Sequence, residues 1–92
     1  MIVTISSGGG VELPEELMQA AELEPGRLEL SVANRQIHLQ ATPEPIGNNA
    51  TEVDRFGFVL LPMPVLQVCD FRPGDQLTAT VAAPRHVQLT PV

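Results

Sequence analysis

The sequence predicts a mainly β fold: a pseudo-twofold barrel of about eight strands with two short helices over its ends. Three observations support this fold class. The 92 residues suffice for one hydrophobic core but not for two. Apolar residues alternate with polar ones in short runs, which is the pattern of strands with one buried face. The chain also repeats itself, and because a copy of roughly 40 residues cannot bury a sufficient core alone, we expect the two copies to bury each other's apolar faces.

The repeat aligns without a gap over its first half. The segment "ISSGGGVELPEELMQAAELEPG" at 5–26 matches "VDRFGFVLLPMPVLQVCDFRPG" at 53–74, so that glycine, valine, leucine and proline recur at the same spacing. The two copies are joined by "PEPIGNNATE", whose Pro, Gly and Asn content is typical of a linker. The predicted organisation is one barrel domain, 1–92, made of a first repeat at 1–42, a linker at 43–52 and a second repeat at 53–92.

Each repeat is predicted to run strand, strand, short helix, strand, strand. In the first repeat the alternating apolar positions are Val3 and Ile5, then Val11 and Leu13, then Leu28, Leu30 and Val32, and finally Ile37 and Leu39. The second repeat has apolar residues at the equivalent places and one added residue in each of its last two turns. Insertions therefore fall only in turns, as a repeated fold requires.

A helix of about two turns is predicted between the second and third strands of each repeat. In the first repeat Pro14 suits the first helical position and Glu15 favours the positive end of the helix dipole. Its apolar face is expected to consist of Leu17, Ala20 and Ala21. The helix of the second repeat is weaker, since "MPVLQVC" contains a second Pro and two Val. The sequences "EPGR" and "RPGD" that follow predict type II turns with Gly at positive φ.

Composition restricts the functional classes. Eleven carboxylates against five arginines give a net charge of −6, which opposes approach to nucleic acid unless the arginines cluster on one face. The single cysteine excludes an intramolecular disulfide and fits a reducing cytosol. No apolar run reaches about 18 residues, and the start "MIVTISSGGG" has no basic segment followed by an apolar one. We therefore expect a cytoplasmic protein with no membrane partner.

No metal, cofactor or catalytic set is predicted. His38 and His86 each lie between two apolar strand residues, so they should point outward and face Gln88 and Gln36, not each other. Cys69 aligns with a helix-core alanine and is interpreted as a small buried residue, which leaves no metal-ligand set. The serines have no evident His partner, so no nucleophile and base are paired.

The two repeats, "MIVTISSGGGVELPEELMQAAELEPGRLELSVANRQIHLQ" and "VDRFGFVLLPMPVLQVCDFRPGDQLTATVAAPRHVQL", resemble a known family. Their order of strand, G-x-V-x-L-P, helix and P-G is similar to the swapped-hairpin domain of AbrB, SpoVT and MazE, which are transition-state regulators and antitoxin DNA-binding subunits. Two copies in one chain resemble the MraZ arrangement. The resemblance implies an AbrB-like barrel completed by exchanged hairpins, with first loops that meet double-stranded DNA.

The basic or polar positions of the family's DNA-facing edge are changed here. They are occupied by Gly8, Gly10, Glu15 and Met18 in the first repeat and by Phe56, Phe58, Met63 and Leu66 in the second. The triple glycine is interpreted as a hairpin bend and not as a phosphate cradle, because it lacks the Lys and Ser or Thr of a P-loop. The remaining candidates for nucleic-acid contact are Arg55, Arg72 and Arg27.

Two functional hypotheses follow. The first is an AbrB/MazE-like transcription regulator or antitoxin-type DNA-binding protein with weakened or lost DNA contacts. The second is a non-DNA-binding protein-interaction or scaffold module on the same barrel, using an apolar patch at the loop edge formed by Phe56, Phe58, Leu60 and Met63. Alternatively, the linker or the opposite repeat covers these four side chains. Either hypothesis is compatible with a monomeric pseudo-dimer or with a homodimer, and neither makes the protein an enzyme.

Overall fold

The computed structural model describes residues 1–41 and 50–92, so most of the predicted linker lies outside the described residues. Ten elements follow one another along the chain: β1 (Ile2–Thr4), β2 (Gly10–Glu12), α1 (Glu15–Ala20), β3 (Gly26–Ala33), β4 (Gln36–Ala41), β5 (Ala50–Val53), β6 (Phe58–Leu60), α2 (Met63–Cys69), β7 (Gln76–Ala83) and β8 (His86–Pro91). Among these residues no helix has both the length and the apolar character needed to cross a bilayer.

The eight strands form one antiparallel sheet in the order β1-β7-β8-β4-β3-β5-β6-β2. The sheet curls until its two edge strands meet, and the Ser6 amide donates to the Gly10 carbonyl at 2.8 Å where β1 turns into β2. The result is a nearly closed barrel with two helices. The prediction of a mainly β barrel of eight strands with two short helices is therefore confirmed. Near-closure leaves very little unpaired strand edge.

Strand pairing crosses between the repeats. β1 of the first repeat pairs with β7 of the second, and β5 of the second repeat pairs with β3 of the first. The equivalent strands β2 and β6 pair with each other, as do β4 and β8. Exchanging the two repeats therefore reproduces this set of pairings. Each repeat supplies strands that the other one needs.

The core is aliphatic and draws on both repeats. Its largest fully buried side chains are Ile5, Leu13, Leu28, Leu30, Ile37 and Leu39 from the first repeat and Leu61, Leu66, Leu77 and Leu89 from the second. Within 1–41 and 50–92 no polar or charged residue is buried. Each such leucine or isoleucine contributes about 1.5–3 kcal/mol by leaving water, so this shared core supplies the main driving force for folding.

The helices differ in detail from the prediction. α1 begins at Glu15, and Pro14 occupies the capping position before it with φ −59° and ψ 146°. Ala20 is exposed, whereas Met18 is buried beside Leu17. Leu17 and Ala21 of the predicted apolar face are buried, but the assignment of Ala20 was wrong, because Met18 takes its place in the core.

The two Pro-Gly turns are not equivalent. The second is the predicted type, because the Asp75 amide donates to the Arg72 carbonyl at 3.0 Å and Gly74 has φ 95°. The turn of the first repeat differs from the predicted type II turn, in which the glycine has φ of about +80°. Its Gly26 has φ 153° and is already the first residue of β3. β5 also begins at Ala50, inside the segment predicted as linker, since this strand pairs with β3 over its whole length.

Candidate functional site

The first loops of the two repeats are matched hairpin turns. Gly9 and Gly57 both have φ +86°, a conformation that favours glycine. The amide of Gly10 donates to Ser6 Oγ at 3.2 Å, and the equivalent amide of Phe58 donates to Asp54 Oδ1 at 2.9 Å. The glycine bend predicted from the sequence is confirmed in both loops. Because β2 pairs with β6, the strands that leave the two turns lie side by side.

Gly10 and Phe58 are repeat-equivalent residues of very different size. A Cβ added to Gly10 would lie 2.3 Å from Cζ of Phe58, so the aromatic ring covers the space above the glycine. This explains why Gly10 is buried although it lies on the outer side of a short strand. The Phe58 ring thus fills the space that the missing side chain of Gly10 leaves.

The four residues of the predicted apolar patch are exposed. The exposed fractions are 68% for Phe56, 39% for Phe58, 53% for Leu60 and 58% for Met63. Phe58 and Leu60 point outward because the residue between them, Val59, faces the core. The first repeat, whose edge strand β2 lies directly alongside, does not cover them. We call these four residues the apolar cluster.

Acidic residues surround the apolar cluster. Glu12 lies directly opposite Phe58 across β2 and β6, and both Glu52 and Asp54 are exposed at the end of β5. Asp54 also stabilises the hairpin turn, since its Oδ1 accepts from the amides of Phe56 and Phe58 at 2.9 Å. The rim of the cluster is therefore predominantly negative.

One cation lies within this rim. The guanidinium carbon of Arg55 lies 5.0 Å from the centre of the Phe56 ring, which is within the range of a cation–π contact. At this exposed site the contact is worth about 0.5–1 kcal/mol. Arg55 therefore covers part of the ring and leaves most of the cluster open.

Two of the three arginines predicted for DNA contact come together. Arg27 and Arg55 border a groove of about 880 Å³ beside α1, and Arg85 joins them. The same groove is lined by the carboxylates of Glu15, Glu22 and Glu24. Arg72 is not among its lining residues; its amide donates to Asp75 Oδ2 at 2.9 Å in the turn before β7. The groove is thus of mixed charge, and no continuous basic surface forms from these arginines.

Met18 and Leu66, which occupy equivalent positions in the two repeats, belong to the core. Their exposed fractions are 9% and 1%. A Cβ added to Gly57 would lie 3.1 Å from Met18 Sδ, and one added to Gly9 would lie 3.4 Å from Leu66 Cδ1. Each side chain therefore packs against the glycine turn of the opposite repeat. At these two places the barrel itself requires an apolar residue, whatever the protein binds.

The sequence-based expectation that His38 and His86 do not face each other is wrong. His38 Nδ1 and His86 Nε2 are 2.9 Å apart and share a hydrogen bond, with ring centroids 5.1 Å apart. The register of β4 and β8 does place His38 opposite Gln88, but it places His86 opposite Gln40, so the two histidines are diagonal neighbours. Long side chains reach across such a diagonal.

The pKa values of two titratable groups, His86 and Cys69, differ from their ordinary values. Burial, and secondarily the charge of His38, lowers the pKa of His86. Burial raises the pKa of the Cys69 thiol, an effect that the charge of Arg35 partly offsets. Arg35 also donates from Nε to the Cys69 carbonyl at 2.9 Å. The buried thiol is therefore poorly suited to act as a nucleophile at neutral pH.

Comparison of the chain with family models, with curated proteins and with solved structures gave no match.

Proposed function

We propose that this protein is a tandem AbrB-like barrel that acts as a protein-interaction module, binding a partner protein through the apolar cluster. The observation that carries the proposal is the exposure of four large apolar side chains, Phe56, Phe58, Leu60 and Met63, within one short stretch of the chain. Burying aromatic and long aliphatic side chains is the usual source of affinity at the centre of an interface. The crossed strand pairing and the two matched glycine turns support the AbrB-like part of the proposal.

The charge around the cluster favours a partner with a basic rim. Glu12, Glu52 and Asp54 lie around the apolar side chains, and the whole chain carries a charge of −6. A symmetric pair of copies joined through this cluster would bring the two acidic rims together, which is unfavourable. A partner with an apolar centre and surrounding lysines or arginines would match both features.

The partner can be sought by replacing Phe56 with the photo-crosslinking residue p-benzoylphenylalanine, with the same replacement of Val68 as the control. Val68 is 74% exposed on α2 and is not part of the cluster. A partner that crosslinks from position 56 and not from position 68 is then purified. Its affinity is measured for the unchanged protein, for L60S/M63S and for V68S.

We expect L60S/M63S to weaken binding by about tenfold or more, since two buried apolar side chains are worth more than 1.4 kcal/mol together. V68S should leave the affinity unchanged, and added salt should weaken binding if the partner is basic at its rim. Equal crosslinking from both positions, or an affinity that L60S/M63S does not alter, would contradict the proposal. Sedimentation should give the single-chain mass of 9.9 kDa, and a dimer lost in L60S/M63S would mean that the cluster pairs copies of this chain instead.

A DNA-binding regulator or antitoxin-type protein with weakened contacts is the second candidate. It is favoured by the meeting of Arg27, Arg55 and Arg85 at one groove. Three phosphate contacts would make the logarithm of the affinity fall with the logarithm of salt with a slope of about −3. The nearby glutamates would reduce that attraction. Titration of labelled duplex DNA at low and then physiological salt tests this candidate, with R55A expected to reduce the slope by about one.

A further inference from the structure

We propose that His38 and His86 form a two-imidazole site for a late first-row divalent cation such as Zn²⁺, Ni²⁺ or Cu²⁺. The site lies on the outer face of the barrel where β4 and β8, the last strands of the two repeats, pair with each other. This inference does not depend on the proposed protein-binding role, because the histidines lie on strands other than those that carry the apolar cluster.

The spacing of the two ring nitrogens suits a single ion. His38 Nδ1 and His86 Nε2 are 2.9 Å apart. Two imidazole nitrogens bound cis to one cation, each at about 2.0–2.1 Å, are separated by about 2.9–3.3 Å. The backbone and the side-chain rotamers therefore already hold the donors at the required separation. For both lone pairs to meet at one cation, each would have to turn by roughly 45° away from the line that joins the two nitrogens in the hydrogen bond.

The proton balance of binding is simple. In the hydrogen bond one of the two facing nitrogens carries a proton and the other accepts it. When a cation binds, both facing nitrogens use their lone pairs, and the proton between them moves through solvent to the far nitrogen of its own ring. When both rings are neutral, binding thus changes the tautomer of one histidine and releases no net proton.

The chemistry of the site selects the type of cation. Imidazole nitrogen suits Zn²⁺, Ni²⁺ and Cu²⁺, whereas Mg²⁺ and Ca²⁺ prefer oxygen. In the described part of the chain no group of three or more His, Cys, Asp or Glu side chains assembles around a common point. Water would complete the coordination of a cation at the pair, so the ion would exchange readily. Its effect would be to join the two repeats across β4 and β8.

The repeat itself supplies a matched control. The positions equivalent to His38 and His86 hold Gln88 and Gln36, and these two amides also meet, with Gln88 Nε2 donating to Gln36 Oε1 at 2.9 Å. The double variant H38Q/H86Q therefore replaces the imidazole pair by a pair that the barrel already accommodates at the equivalent place. The converse variant, Q36H/Q88H, would add a second imidazole pair.

The test is titration of the full chain with ZnCl₂ and NiCl₂ by calorimetry, with MgCl₂ as the reference, at a pH where both imidazoles are neutral. We expect one ion per chain, a ¹⁵N shift of the imidazole nitrogens of both histidines, and an urea midpoint that rises with Zn²⁺. H38Q/H86Q should lose the binding and the rise in midpoint, while Q36H/Q88H should bind two ions. If the double variant folds poorly, H86Q alone should still weaken Zn²⁺ binding by about tenfold or more.

Several results would overturn the proposal. These are Zn²⁺ bound no more tightly than Mg²⁺, unchanged imidazole signals at saturation, or binding that survives in H38Q/H86Q. The last result would place the ion elsewhere, for example at the amino group of Met1, and would end the assignment to the histidine pair.

Discussion

The two glycine turns allow a strong test of how this barrel is packed, because the same substitution is expected to have very different costs at equivalent positions. Gly9 and Gly57 have the same φ of +86°. A Cβ at Gly57 would lie 2.3 Å from the Leu13 carbonyl oxygen, a distance that real contacts do not tolerate. A Cβ at Gly9 would lie 3.5 Å from the equivalent oxygen, that of Leu61, which is ordinary contact.

The magnitudes follow from two separate effects. Placing alanine at positive φ costs about 1–2 kcal/mol in either turn. G57A additionally forces the loop away from a backbone atom, which costs about 1–3 kcal/mol as overpacking. Such a shift also strains the hydrogen bond from the Leu13 amide to the Gly57 carbonyl, now 2.7 Å long. We therefore expect G9A to lower the free energy of unfolding by about 1–2 kcal/mol and G57A by about 2–5 kcal/mol.

Urea unfolding followed by circular dichroism measures the difference. The extra cost of about 1–3 kcal/mol, with a slope of about 1–2 kcal/mol per molar urea for a domain of this size, should place the midpoint of G57A about 0.5–3 M below that of G9A. G8A is the control, because Gly8 is exposed and an added Cβ meets nothing within 4 Å. Equal midpoints for G9A and G57A, or a larger loss for G9A, would refute the packing described for these turns.

Three further outcomes are expected. G10A should cost about 1–3 kcal/mol by displacing the Phe58 ring, and much less when F58A is also present; additive effects in this double-mutant cycle would contradict the contact. Because the pKa of His86 is lowered below its ordinary 6.5, the unfolded chain takes up a proton at a higher pH than the folded one, and the free energy of unfolding should fall as the pH drops below 6.5. Urea midpoints measured across this range should lack this part of the loss in H38Q/H86Q. Cys69 is buried with a raised pKa, so a thiol reagent at pH 8 should modify it only at the rate at which the barrel opens; immediate full labelling of the native protein would show the thiol to be accessible.

The barrel could be predicted from the sequence because the evidence for it is repeated. Strand alternation is short and ambiguous in any single segment, but the same pattern occurs twice with the same spacing, and neither half can bury its apolar face alone. The crossed pairing of β1 with β7 and of β5 with β3 is what lets both halves share one core. Local details were predicted less well. Met18 and not Ala20 completes the buried face of α1, because in so short a helix the neighbouring elements decide which residues are covered.

The contacts missed at the candidate sites are all between repeats. His38 meets His86 because of the register of β4 on β8, which depends on how two distant strands dock and has no local sequence signal. The complementarity of Gly10 and Phe58 did have a signal, since the smallest residue and a large one occupy equivalent positions on strands that pair about the pseudo-twofold axis. Here the large residue fills the space beside the small one because both lie close to that axis.

The crossed pairing also determines when this protein can fold during its synthesis. Of the strands of this barrel, β1 leaves the ribosome first, and its partner is β7, so that Ile2 lies opposite Thr78. Until most of the chain has emerged, β1 has no strand to pair with, and the first repeat exposes the apolar face that the second will later cover. A nascent chain stalled after α2 should therefore be sensitive to protease along its whole length, and protection should arise in one step once β7 and β8 are free. A barrel built from two interdependent halves thus folds late, and as a unit.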